Sequence, residues 1–190
     1  MPRRAPGDKR ERQGEAVVDV VIEVPRGCRN KYEYDPDAGR MRLTRTVPGT
    51  GFPADYGFVT GTLGEDGDPL DAVVLLEEPA FAGCVVAARA VGVLRMADEA
   101  GPDAKLVCVP AERAPWADAT GLDDVPAPWL HAIREFFEVY KEDEPGRWSR
   151  TGGFGGAEEA EAHLARARER ATAAGPPGAA GDGARGACAV

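Results

Sequence analysis

The chain has 190 residues, of which 43% are hydrophobic and 29% charged, and its formal net charge is −9 at pH 7. This length predicts one domain with tails, since typical domains hold about 100–150 residues. The negative charge would repel a polyanion from the average surface and argues against nucleic acid as a partner, although metal cations could still bring an anionic ligand to an acidic protein.

The cysteines and apolar runs indicate a cytoplasmic protein without a membrane partner. Cys28, Cys84, Cys108 and Cys188 form no C-x-x-C pair, and no histidine lies at zinc-ligand spacing from them, so free thiols in a reducing compartment are expected. The N-terminus has no apolar stretch of signal-peptide length, and the aliphatic run 72–76 is too short to cross a bilayer.

Both ends of the chain are predicted to be disordered. Residues 1–15 are rich in Arg, Lys, Glu, Pro and Gly and have almost nothing to bury, and residues 171–190 are rich in Ala, Gly and Pro. Acidic residues dilute the basic ones in the N-terminal arm, which favours a solvated tail over a nucleic-acid contact. The folded domain is therefore expected to span residues 16–170.

Inside this domain the apolar residues recur mostly with a period of two, which predicts strands. The first, around residues 18–24, carries Glu23 off its main apolar face. Residues 31–35 and 40–46 flank an Asp-Pro-Asp-Ala-Gly turn and predict a hairpin with Lys31 and Glu33 on one face. Further strands are predicted at 72–76, 84–95 and 105–110.

Two helices are predicted late in the chain. Residues 128–141 carry an apolar stripe at helical spacing, between prolines at the entry and Pro145-Gly146 at the exit. Residues 157–173 form the second, rich in Ala, Glu and Arg. The pattern predicts a mainly β fold: a small, closed, highly twisted, OB-like barrel with two flanking C-terminal α-helices.

The segment 65–71 points most clearly to chemistry. Asp66, Asp68 and Asp71 lie within six residues, and Gly67 and Pro69 turn the chain so that these acids can converge. Converged carboxylates repel one another, and no neighbour in this segment supplies a cation. Oxygen ligands without His or Cys select Mg²⁺, Mn²⁺ or Ca²⁺, so metal binding is favoured over an acidic surface turn.

An EF-hand does not fit this segment. With Asp66 as its first ligand, the loop would need glycine where Asp71 stands and an oxygen ligand where Leu70 stands. The second half of that loop would also fall on the predicted strand at 72–76.

A second acidic cluster lies at residues 95–105. Gly101-Pro102 predicts a hairpin loop that brings Asp98 and Asp103 back towards Lys105. Alone, this cluster would be a polar hairpin tip. Together with the first acidic segment, it makes a metal centre with two sites plausible.

These segments resemble one known family, the soluble inorganic pyrophosphatases of the bacterial, single-barrel (family I) type. The resemblance covers about residues 17–148. It rests on Val21-Ile22-Glu23-Val24-Pro25, Lys31-Tyr32-Glu33, Tyr56-Gly57, the aspartates at 66–71, Asp98-Glu99-Ala100-Gly101 through Lys105, and Phe136-Phe137-Glu138-Val139-Tyr140-Lys141.

The resemblance implies hydrolysis of pyrophosphate to two phosphates by an in-line water, without a covalent intermediate and with several Mg²⁺ ions per site. It implies that Asp68 is the general base, that Asp66, Asp71 and Asp103 hold the tight metal with Asp98 beside them, and that Glu23 and Glu33 are second-shell or substrate-metal carboxylates. The implied phosphate-binding residues are Lys31, Arg45, Tyr56, Lys105, Tyr140 and Lys141. It also implies a homo-oligomer, usually a hexamer.

Three positions depart from the family's usual pattern. Phe52 stands where many relatives carry Tyr, Arg147 where Lys is common, and Phe154 where relatives often have Trp. None of them belongs to the metal set, so they affect the expected rate and affinity and leave the expected activity in place.

Two alternatives remain open at this point. A small barrel that binds single-stranded nucleic acid would need a basic groove with stacking aromatics, which the net charge and the 7% aromatic content disfavour. A metal-binding structural module, or an inactive relative, would not need Lys31, Arg45, Lys105 and Lys141 beside the acids. Some of these residues also have plainer interpretations, with Tyr140 as part of the core and Lys141 as a helix-end cation.

Overall fold

Five strands close into a barrel, the architecture that the sequence predicted, although the strand at Asp55–Val59 was not predicted. In the computed structural model, which describes residues 17–112 and 114–175, they are β1 (Val17–Val24), β4 (Asp55–Val59), β5 (Asp71–Val74), β8 (Lys105–Pro110) and β6 (Val85–Asp98). The strands pair in the order β1–β4–β5–β8–β6, and β6 pairs back onto β1, which closes the ring. Only β5 and β8 are parallel among these five; the other neighbours are antiparallel.

Four more strands extend this barrel or lie beside it. The predicted hairpin forms a separate two-stranded sheet of β2 (Asn30–Asp35) and β3 (Arg40–Thr46). The short β7 (Gly101–Pro102) and the long β9 (Ser149–Gly156) both pair with β6. The described chain also contains short 3-10 turns at Trp116–Asp118 and Leu122–Asp124.

Two helices cover opposite sides of the strands. Helix α1 (Ala127–Val139) packs into an apolar cluster with Val73 and Leu75, whereas helix α2 (Ala157–Ala174) packs into one with Ala72 and Val74. Successive residues of β5 therefore face different clusters, as the two-residue period of a strand requires. No helix in the described ranges is long and apolar enough to span a membrane.

Some predicted boundaries shift. Helix α1 ends at Val139, so Lys141 lies beyond it rather than in its last turn. Helix α2 continues to Ala174, so the first four residues of the predicted tail are helical, while its buried Ala160, Leu164 and Ala167 pack against the barrel. The predicted arm at 1–15, and the predicted tail from residue 176 on, lie outside the described residues.

Candidate active site

The parallel pairing of β5 and β8 brings their first residues together at one end of the barrel. Ala72 pairs with Leu106, so Asp71 and Lys105 lie side by side. The Lys105 ammonium group donates to the carboxylates of Asp71 and Asp103. The segment itself supplies no cation, as the sequence indicated, and the lysine that pairs with Asp71 comes from a strand 34 residues further along the chain.

Lys105 is a buried cation. Its side chain is 2% exposed. Burial acts against the charged form, but the carboxylates of Asp71 and Asp103 outweigh it and raise the pKa of Lys105 above its ordinary value. The hydroxyl of Tyr56, on the neighbouring strand β4, donates at 2.7 Å to Oδ2 of Asp71, the same oxygen that accepts from Lys105. Two predicted site residues, Tyr56 and Lys105, thus contact Asp71 directly, and a third, Asp103, contacts it through Lys105.

The loop that leads into β5 holds the other two aspartates of the first acidic segment. Its entry and exit are tied by Thr62, whose hydroxyl donates to the Val59 carbonyl at 2.7 Å and accepts the Leu70 amide at 2.9 Å. Gly67 occupies the left-handed region at φ 95°, which lets the backbone turn between Asp66 and Asp68. Both side chains are exposed, and Asp66 accepts the backbone N–H of Asp68 at 3.1 Å.

Asp68 is surrounded mainly by other acids. Partial desolvation raises the pKa of its carboxyl, and the negative charges of Asp66, Asp71 and Glu33 raise it further. The positive charge of Lys31 opposes this shift. A carboxylate in such surroundings takes up a proton, or binds a cation, more readily than an isolated one.

In the second acidic cluster, the negative charges of Asp98 and Glu99 are compensated by Lys141. Lys141, in the segment after α1, lies 2.5 Å from a carboxylate oxygen of Asp98 and 3.3 Å from one of Glu99. Burial alone would raise the pKa of Asp98, but its hydrogen bonds to Lys141 and to the Ala100 amide hold that pKa below its ordinary value. Asp98 is therefore a firmly ionised carboxylate.

Glu23, Glu33 and Lys31 form the side of the site nearest the hairpin. Glu23 is buried on β1 and accepts the backbone N–H of Tyr34 at 2.8 Å. Burial raises the pKa of Glu23 to about 7, with further contributions from the charges of Asp71 and Glu33. Lys31 pairs with Glu33 at 2.7 Å, as two residues on one face of a strand can.

Arg45 and Tyr140 form the remaining side. The Tyr140 ring is buried against Phe136 and Phe137, so its role in the core is real. The Arg45 guanidinium lies 5.3 Å from the centroid of the Tyr140 ring, and the ammonium of Lys141 lies 5.7 Å from it. Burial raises the pKa of the Tyr140 hydroxyl, while Lys105 and Lys141 lower it.

The acids and bases named above influence one another electrostatically, so they belong to one site. Asp71 acts on Glu23, Asp68, Asp103 and Tyr140. In the described ranges no three carboxylate, imidazole or thiol groups stand at the spacing of a ready-made cation site, because Lys105 and Lys141 lie between several of the acids. The donors are all carboxylate oxygens and several have raised pKa values, a chemistry that fits Mg²⁺.

Comparison with known proteins agrees with the resemblance seen in the sequence. A sequence model of the inorganic pyrophosphatases matches residues 20–172. The chain belongs to the inorganic pyrophosphatase family. It is 49% identical to the inorganic pyrophosphatase of Streptomyces coelicolor over 153 residues, which cover 80% of this chain and 94% of that protein.

Solved structures of inorganic pyrophosphatases share its fold. The enzyme from Helicobacter pylori superposes with a TM-score of 0.79 at 38% identity, over 85% of this chain and 99% of that one. The enzyme from Thermus thermophilus has the same TM-score at 44% identity, over 87% and 95% of the two chains.

In this member of the pyrophosphatase family, the structure also adds residues that sequence reasoning did not assign. Glu99 contacts Lys141 and lies 3.6 Å from Arg147, and Glu144 forms an ion pair with Arg45. Glu99 stands inside a family-like stretch, which was a usable signal. Glu144 follows the predicted helix and gave no such signal, since its partner is 99 positions earlier in the sequence.

Proposed function

We propose that this chain hydrolyses inorganic pyrophosphate to two phosphates through a metal-activated water, with several Mg²⁺ ions as cofactors. Pyrophosphate as the substrate follows from membership of the inorganic pyrophosphatase family. The observation that carries the finer proposal is the meeting, at one end of the barrel, of an acid-rich loop with two buried lysines, Lys105 and Lys141.

The carboxylates divide into two groups in this proposal. Asp66, Asp71 and Asp103, with Asp98 beside them, would hold the tightest cation, and Glu23 and Glu33 would hold or orient cations that arrive with the substrate. Bound Mg²⁺ would lower the pKa of the attacking water and screen the charge of the phosphates. Burial, and secondarily the negative charge of Asp71, raise the pKa values of Glu23 and Asp103, and a bound cation would offset both effects by favouring the ionised carboxylates.

Asp68 is the general base of the proposed reaction. It lies on the exposed turn between Gly67 and Pro69, where solvent can reach it. Its raised pKa, caused by desolvation and neighbouring acids, increases its ability to accept a proton from the attacking water. The hydrogen bonds of Thr62 to Val59 and Leu70 hold together the two ends of the loop that carries Asp68.

Six side chains would bind the phosphates and neutralise the charge that develops on the leaving group. They are Lys31, Arg45, Tyr56, Lys105, Tyr140 and Lys141. Lys105 compensates Asp71 and Asp103 in this structure. When those carboxylates bind cations, its ammonium group becomes available to a phosphate oxygen.

We also propose a cytoplasmic homo-oligomer, a hexamer by resemblance to bacterial family members. Large apolar side chains remain exposed on the described surface, among them Phe81 at 70% and Val85 at 56%. Burial of such side chains between copies of the chain would stabilise an assembly. Light scattering coupled to size-exclusion chromatography measures the mass directly, and a monomer at micromolar concentration would contradict this part of the proposal.

Phosphate release from pyrophosphate tests the reaction itself. Activity should require added Mg²⁺ and disappear with excess chelator. Ca²⁺ should inhibit, because its larger radius and looser coordination misplace the water. Full activity in excess chelator would contradict the proposed role of the metal while leaving pyrophosphate as the substrate.

A further inference from the structure

Arg45 is held across the site by the segment that follows α1. It lies on β3 of the separate hairpin, and its Nη1 atom donates to the Tyr140 carbonyl at 3.2 Å. The same atom lies 2.5 Å from Oε1 of Glu144 and 3.6 Å from Oδ1 of Asp143. One nitrogen of the guanidinium therefore makes all of these polar contacts.

The rest of the guanidinium remains available to a ligand. Among the described residues, neither Nε nor Nη2 of Arg45 donates a hydrogen bond, and Glu144 and Asp143 both make their ion pairs with Nη1. These two nitrogens form a parallel pair of N–H donors that matches two oxygens of a phosphate. A carboxylate that competed with phosphate would occupy that pair, whereas Glu144 occupies the opposite corner.

Glu144 is itself fixed in orientation. Its second carboxylate oxygen lies 3.3 Å from Nε of Arg147, so each oxygen faces a different arginine. Its backbone N–H donates to the Lys141 carbonyl at 3.0 Å, and its carbonyl accepts the Arg147 amide at 3.1 Å. The turn that carries Glu144 is thus the turn that also carries Lys141.

We propose that Glu144 is a positioning residue, which holds Arg45 through Nη1 so that the Nε and Nη2 atoms face a phosphate group of the substrate. This inference rests on the proposed function, in which Arg45 binds phosphate. It assigns a role to a residue outside the metal and phosphate sets, and that role concerns substrate affinity more than the chemical step.

Glu144→Gln tests the inference, with Glu142→Gln as the matched control. Glu142 is exposed, lies two residues away, and makes no ion pair in the described part of the chain. In Glu144→Gln the KM for magnesium pyrophosphate should rise about 3–10-fold, while kcat changes less than about twofold, since a partly exposed charge pair is lost without loss of the base. Glu142→Gln should match the wild type in both constants.

A double-mutant cycle shows whether Glu144 acts through Arg45. The Arg45→Lys variant already lacks the parallel pair of N–H donors on Nε and Nη2. Adding Glu144→Gln to this variant should therefore raise KM by less than about twofold. Independent, multiplicative effects of the two substitutions would overturn the inference. A lower KM in Glu144→Gln would also overturn it, since that result identifies Glu144 as a competitor of phosphate.

The two proposals fail in different ways. A wild-type protein that releases no phosphate from pyrophosphate would refute the proposed function. Normal wild-type activity with equal KM values for the wild type and Glu144→Gln would refute only the role of Glu144. Calorimetric titration of both proteins with pyrophosphate in the absence of Mg²⁺, where no hydrolysis is expected, gives the same comparison, and the variant should bind about 3–10-fold more weakly.

Discussion

Asp98 and Asp68, one from each acidic segment, lie in opposite electrostatic surroundings. Asp98, at the end of β6, has an ammonium group 2.5 Å away, and its pKa lies below the ordinary value. Asp68, on the loop before β5, is influenced mainly by other acids, and its pKa lies above it. The protein thus compensates the negative charge of Asp98 with a lysine and leaves that of Asp68 largely uncompensated.

Carboxylates that are held in place by lysines therefore differ in chemistry from those that can take up a proton or a cation. A carboxylate held by a buried lysine is ionised and fixed, and such a group can orient a cation or a phosphate-binding lysine. A carboxylate crowded by other carboxylates gains from any proton or cation it can bind. We therefore expect substitutions in the two segments to have different signatures.

The largest effect is expected for Asp68→Asn. The amide keeps the size of the side chain and one acceptor oxygen but cannot take the proton of the attacking water. We expect kcat to fall about 10²–10⁴-fold, the range for a general base, with little change in the Mg²⁺ concentration needed for half-activity. Steady-state kinetics at several Mg²⁺ concentrations measure both quantities.

Asp71→Asn should behave differently, because it removes charge from the proposed metal site. We expect the Mg²⁺ requirement to rise about 10–100-fold and high Mg²⁺ to restore part of the lost activity. Rescue of Asp68→Asn but not of Asp71→Asn would mean that the base and the ligand are reversed. Equal losses without rescue would mean that the loop acts as one coupled unit.

Lys105→Met breaks the internal compensation of Asp71 and Asp103. Without metal, the two carboxylates would face each other without the buried cation, and we expect the free energy of unfolding to fall by about 2–4 kcal/mol. Mg²⁺ should restore more stability to this variant than to the wild type, because it replaces the missing charge. Thermal unfolding with and without Mg²⁺ checks this, and an equal gain in both proteins would argue against a cation site at these acids.

The smallest effect concerns Asp55, a carboxylate outside both segments. It is fully buried, one oxygen accepts the Ala80 amide at 2.8 Å, and its other oxygen has no hydrogen-bond partner among the described residues. Burial raises its pKa above 3.8, so the folded state binds its proton more tightly than the unfolded state. Its contribution to stability is present at low pH and is lost as pH rises through the raised pKa.

Asp55→Asn should therefore flatten the pH dependence of stability in the range just above pH 4, because the amide does not titrate. Urea unfolding at a series of pH values compares the two proteins. A slope that is unchanged in the variant would show that Asp55 does not titrate differently in the folded and unfolded states. At Asp55 burial outweighs the opposing charge of Arg26, so the comparison isolates the effect of burial on a carboxylate outside the site.

The sequence predicted most of the barrel but not every strand. Alternating aliphatic residues were sufficient to predict strands β1, β6 and β8, and the Asp-Pro-Asp-Ala-Gly turn was sufficient to predict the β2–β3 hairpin. Strand β4 was missed because it is short and contains Gly57, a residue type of low strand propensity. A glycine is needed at this position because an added Cβ would lie 1.9 Å from the Val21 carbonyl oxygen. Strand β9, Ser149–Gly156, was missed because its four glycines have low strand propensity and only its pairing with β6 orders it.

The predicted site residues came together, but their partners could not be read from the sequence. Asp71 meets Lys105 because β5 and β8 are parallel neighbours, a topological fact that no local pattern contains. Arg45 meets Glu144 because the hairpin lies against the turn after α1. Composition and spacing identify which side chains carry charge, whereas tertiary structure decides which charges compensate each other.

The most direct test of the account is a crystal structure of the protein soaked in Mn²⁺, with the metal located by anomalous scattering. We predict a peak within about 2.5 Å of carboxylate oxygens of Asp66, Asp71 and Asp103, with the Lys105 ammonium moved away from Asp71. The absence of a peak at these three aspartates, at a Mn²⁺ concentration that supports phosphate release, would contradict it.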